Sequence, residues 1–129
     1  MKAATLYMNS QTLTLDAERA FAELYSRLAR WSGEILALER AGDSAGADAL
    51  IERAMTLLTY MDGQIDVTRN YEIATRILCL HRFAVRTLVN AKLKVNPQEL
   101  EGLAQVFVTL GETFSAIRPP RTADPDARN

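Results

Sequence analysis

The chain has a single cysteine, Cys79, among its 129 residues, so an internal disulfide and any cysteine-cluster metal site are excluded. It also has a single histidine, His81. No glycine-rich phosphate loop is present, and no serine, cysteine or carboxylate stands in a recognisable catalytic context. An enzyme is therefore not expected, and neither is a cofactor. Glycine and proline are scarce, which argues against a turn-rich all-β fold or a collagen-like rod. Nothing approaches the ~18 uninterrupted apolar residues of a membrane span. The opening MKAATLYMNSQTLTLDAER lacks a signal-peptide apolar core, so the expected compartment is the reducing cytoplasm. A formal net charge of −1 gives no positive excess for a dedicated nucleic-acid binder.

What the chain does have is helical periodicity. Phe21, Leu24, Leu28, Trp31, Ile35 and Leu38 recur at spacings of three and four, after Asp16 as a helix N-cap and before Gly42 as a stop. Glu18 falls near the positive end of that helix's dipole. A second stripe holds Leu50, Ala54, Leu57, Leu58, Met61 and Ile65, restarted by Asp43 or Ser44 and ending near Asp66–Arg69. A third holds Ile73, Ile77, Leu80, Ala84, Leu88 and Ala91 behind Asn70. Asn96-Pro97 reads as a cap followed by proline in the first turn. Leu100, Leu103, Phe107, Leu110, Phe114 and Ile117 follow, and Arg118-Pro119-Pro120 ends the helix.

The expected fold is thus all-α: an antiparallel up-down four-helix bundle over 16–117, with helices at about 16–41, 44–66, 70–94 and 97–117. Residues 1–15 read as a flexible arm and 118–129 as a disordered tail. A three-helix core with one helix swapped onto a partner chain fits the same pattern.

Two features exceed what a bundle needs. On a helical wheel the apolar arc of the third helix spans about half the circumference, leaving Leu78, Val85 and Val89 surplus to a minimal core. The fourth helix is nearly as broad. A thick core explains this, and so does a groove for another apolar helix. The region from Arg69 to Lys94 also carries six basic side chains against one acid, Glu72. That face reads either as a solvated surface paired with acidic neighbours or as a dock for an acidic partner. Among single residues, His81 reads as a hydrogen-bonded interior histidine, Cys79 as an inert and partly covered thiol, and Trp31 as core. Asp62 and Asp66 share a helix face without a third ligand for a metal.

Several residues carry a family likeness. They are Tyr7, then Thr14-Leu15-Asp16-Ala17, the pair Leu24-Tyr25, Gly42-Asp43, Ile51-Glu52-Arg53-Ala54, Tyr71-Glu72-Ile73-Ala74 and Asn96-Pro97. In this layout the run from Tyr7 to Phe114 resembles the flagellar export chaperones of the FliS type. It departs from them at Ser26-Arg27, Leu80-His81, Ala91-Lys92 and Phe114. The resemblance implies a cytoplasmic chaperone without catalysis or cofactor. Such a chaperone binds the disordered C-terminal segment of flagellin, prevents premature polymerisation and delivers the client to the export gate. It further implies that the arm with Tyr7 covers the client track when no client is present. The residues expected at the client surface are Tyr7, Tyr25, Ala74, Leu78, His81, Val85 and Val89. No nucleic acid or membrane insertion is expected, and the chain is expected to be a monomer or weak homodimer. A self-associating structural or regulatory bundle, or a chaperone of another type III secretion substrate, are the alternatives.

Overall fold

The computed structural model describes residues 13 and 15–116. Four α-helices run in order: α1 Leu15–Arg40, α2 Ser44–Asp62, α3 Tyr71–Lys92 and α4 Glu99–Ala116. No strand occurs among the described residues. The fold is an all-α four-helix bundle. Each helix packs on the next and α4 closes back onto α1, its most extensive partner, so all four pack within one chain.

Local chemistry sets most boundaries. α1 ends in a Schellman motif: the Asp43 N–H reaches Leu38 O at 2.9 Å and the Gly42 N–H reaches Glu39 O at 3.1 Å. Gly42 lies at φ 81°, which glycine adopts without a Cβ penalty. Asp43 then caps α2, accepting from the Gly46 N–H at 2.9 Å. Asn70 caps α3, accepting from the Ile73 N–H at 3.0 Å. Each cap satisfies a donor that would otherwise lack an intrahelical partner.

Three expectations about helix ends are corrected. α1 begins at Leu15, so Asp16 lies inside it. α2 stops at Asp62 rather than near Asp66, because Gly63 caps it and donates back to Thr59 O and Tyr60 O. Asp66 is used instead in an Asx-type turn, accepting from the Thr68 N–H at 3.0 Å and the Thr68 hydroxyl at 2.6 Å, and those bonds hold its carboxyl below the usual range. Asn96 does not cap α4. It sits at φ 49°, and α4 starts at Glu99 after a turn in which Glu99 N–H bonds Asn96 O. The end of α3 repeats the Schellman pattern with Lys94, φ 64°, in the glycine position: Val95 N–H reaches Asn90 O at 2.8 Å and Lys94 N–H reaches Ala91 O at 3.0 Å.

The core is aromatic where α1 meets α4. Phe21, Tyr25, Phe107 and Phe114 are buried, with Phe21 and Phe114 centroids 5.6 Å apart and Tyr25 and Phe114 5.5 Å apart. Burying one such ring stabilises the fold by about 1.5–3 kcal/mol. Gly111 lets the two helices approach closely, since a Cβ there would lie 3.3 Å from Ala22 O and 3.4 Å from Ser26 Oγ. Trp31, expected in the core, is half-buried and packs against it, with the Arg53 guanidinium 5.0 Å from the ring centroid. Glu18 is buried with neither carboxylate oxygen hydrogen-bonded, and desolvation pushes its carboxyl up against the opposing pull of Arg19.

Candidate functional site

α3 carries most of the residues assigned to a client surface, and its rotation decides what they can touch. Its buried stripe is Ala74, His81, Ala84, Thr87, Leu88 and Ala91. The expected stripe also contained Leu80, but Leu80 is 37% exposed, so that assignment is corrected. Small side chains dominate the seat, and His81, at 1% exposure, fills the place of a large one.

His81 is held from two sides. Its Nδ1 lies 2.5 Å from Asp62 Oδ1 at the end of α2, and its Nε2 lies 2.6 Å from the Tyr25 hydroxyl of α1. With the ring proton on Nδ1, His81 donates to Asp62 and accepts from Tyr25. One buried ring thereby ties three helices. Burial, and then the nearby Asp62 charge, push the Tyr25 phenol well above its usual range. The chain of carboxylate, imidazole and hydroxyl looks like a catalytic relay, yet its terminal hydroxyl is sealed inside the bundle. Its chemistry is that of a buried hydrogen-bonded clamp.

The surface residues lie on either side of that seat. Leu78, Val85 and Val89 are half-buried on one flank. The contacts of His81 with Asp62 and of Lys92 with Glu52 place that flank towards α2. Leu80 and Phe83, the latter 48% exposed, lie on the other flank, which borders α4, the other helix packed on α3. Between the flanks the outward face carries Cys79, Arg82 and Arg86, all exposed. Cys79 had been expected to be partly covered.

Of the residues assigned to the client surface, the structure therefore brings Leu78, Val85 and Val89 together at the surface. Tyr25, Ala74 and His81 are fully inside, beneath that face and not on it, because Ala74 and His81 belong to the buried stripe of α3 and Tyr25 to the core of α1. Tyr7 lies outside the described residues, as does Ile117. Sequence reasoning missed Leu80 as surface, whereas Phe83 was read as the one ring on the basic side opposite the core and is exposed there.

Grooves elsewhere are shallow. One of about 360 Å³ between α1 and α2 is lined by Trp31, Arg53, Leu57 and Tyr60, and one of about 330 Å³ between α1 and α4 by Ser26, Arg30, Val108 and Gly111. Among the described residues no group of three or more His, Cys, Asp or Glu is placed to hold a metal ion. No described helix is long and apolar enough to cross a membrane.

A bundle with a buried polar clamp and a partly apolar outer helix is a helical scaffold with a face to offer. The family model for flagellar protein FliS matches residues 1–121, and the chain belongs to that family. Its role is that of a flagellar export chaperone, and the family is one of chaperones and not of enzymes. Comparison with curated proteins and with solved structures finds no match.

Proposed function

We propose that this chain binds the C-terminal segment of flagellin along the outer face of α3, keeps it from polymerising in the cytoplasm and delivers it to the export gate. Membership of the FliS family supports the chaperone role. The observation that carries the placement is apolar surface left uncovered on both flanks of α3, half-buried Leu78, Val85 and Val89 on one and exposed Leu80 and Phe83 on the other. A segment that folds on binding needs a long apolar track to offset its ordering cost. Tyr25, Ala74 and His81 serve this site from below by setting the rotation of α3. Tyr7 is the candidate for a displaceable cover over the same track.

The test is calorimetry with a flagellin C-terminal peptide, beside circular dichroism of the mixture. Val85→Asp and Phe83→Asp should each weaken binding at least about tenfold, in the range of an interface hot spot, while the free protein keeps its helicity. The wild-type mixture should gain helix. Unchanged affinity in both variants would move the client off α3.

A further inference from the structure

The six basic side chains between residues 69 and 94 divide into two groups. Arg69 pairs with Asp66, Arg76 with Glu72 at 2.8 Å, Lys92 with Glu52, and Lys94 with Glu39 at 2.8 Å. Arg82 and Arg86 have no carboxylate within ion-pair distance among the described residues. Their own helix offers none, because the single acid of α3, Glu72, is engaged by Arg76. Arg19, Arg27, Arg30 and Arg53 likewise form no ion pair among the described residues, but the three on α1 have an acid one turn away on their own helix. Arg19 and Arg27 each stand four positions from Glu23, and Arg30 stands four from Glu34. Only on α3 is a pair of arginines placed with no acid at i±3 or i±4.

Arg82 and Arg86 are themselves four residues apart, so they project in one row along the helix, roughly 6 Å apart at their Cβ atoms. The row has exposed Phe83 on one side and half-buried Leu78 and Val89 on the other. The complement of a cationic row next to an apolar strip is a helix with two carboxylates one turn apart bordering its own apolar stripe. We infer that the outer face of α3 docks an acidic amphipathic helix, its carboxylates pairing with Arg82 and Arg86 while its apolar stripe packs on Phe83. The inference rests on the proposed use of this face for the client and specifies the chemistry of the segment received there. The charges set register and reject basic or neutral helices, and the apolar strip supplies adhesion.

The test uses the full chain and two designed amphipathic helical peptides of about 18 residues with the same leucine stripe. One carries two glutamates four apart beside the stripe, the other two glutamines. The glutamate peptide should bind at least about tenfold tighter, lose that advantage as salt rises and slow alkylation of the exposed Cys79. The double variant Arg82→Glu/Arg86→Glu, with helicity retained, should prefer the glutamine peptide. Equal binding of both peptides by the wild type, or an unchanged preference in the double variant, overturns the inference. Protection of Cys79 by duplex DNA and not by the glutamate peptide overturns it too. Its failure is distinct from failure of the client reading. If Phe83→Asp releases the flagellin peptide while the double variant keeps the glutamate preference, the client surface stands and the charge recognition falls. If the designed peptides behave as expected while the flagellin peptide ignores Phe83→Asp and Val85→Asp, the dock stands and flagellin is not its occupant.

Discussion

Tyr25 is fully buried, and its ring contacts Phe21, Phe107, Phe114 and His81 while its hydroxyl meets His81 Nε2. Removing that hydroxyl leaves an interior imidazole nitrogen without its partner. Tyr25→Phe should therefore cost about 1–3 kcal/mol in chemical denaturation, although it keeps every ring contact. The same residue gives an alkaline signature. Because the folded phenol is held above the unfolded one, the stability it contributes is intact below the ordinary value of 10.0 and is lost as pH rises beyond it. Melts from about pH 9 to about pH 11 should show a steeper loss in the wild type than in Tyr25→Phe. A parallel decline in the two proteins would mean that the phenol is not the group responsible. That His81 is an interior, hydrogen-bonded histidine was legible in the chain, but its two partners were not. His81 and Tyr25 are separated by 56 positions and His81 and Asp62 by 19, and only the packing of three helices brings them together.

At the scale of the helix, α1 and α4 meet through large rings except at Gly111, where the backbone of α1 is the neighbour. Gly111→Val should destabilise by about 1–3 kcal/mol, read as a lowered Tm, because Ala22 O cannot rotate away as a side chain would. Its gain in helix propensity is smaller than that. An unchanged Tm would show that the two helices part at little cost. The boundaries of the elements teach where sequence reading succeeds. Asp43 and Asn70 work as caps over three residues of contiguous chain, so their chemistry is visible locally. Asn96-Pro97 carried the same local signal and did something else, because Asn96 takes the left-handed conformation and closes a turn ahead of α4. The burial of Leu80 was misjudged for a related reason. A wheel weights Leu80 above alanine, whereas a closely seated helix buries the residues that permit close approach, and those are Ala74, Ala84 and Ala91.

For the whole molecule, the two ends of the bundle are held differently. The end formed by the C-termini of α1 and α3 is tied by ion pairs on the rim, Glu39 with Lys94 and Arg40 with Glu101, of which the second is exposed at both partners and contributes little. The opposite end holds the Phe21, Tyr25 and Phe114 cluster. The class of fold was legible because long amphipathic stripes with short connections allow few other solutions. The exposed face was only half legible. Apolar surplus shows on a wheel, but which part of it remains uncovered depends on how neighbouring helices sit, and the exposure of Leu80 came to light only in the packed structure.

The alanine seat of α3 has a consequence for how this protein comes apart. Adhesion scales with the apolar area removed from water, and methyl groups remove little of it. The ring-filled contact of α1 with α4 should survive fluctuations that shed α3. Native-state amide exchange should find the slowest backbone protons in α1 and α4 and a faster, cooperative set across α3, with uniform rates in all four helices as the contrary result. The helix that faces outward to receive a guest is then also the one the molecule can most easily lift, and the reception surface is mounted on its least firmly moored wall.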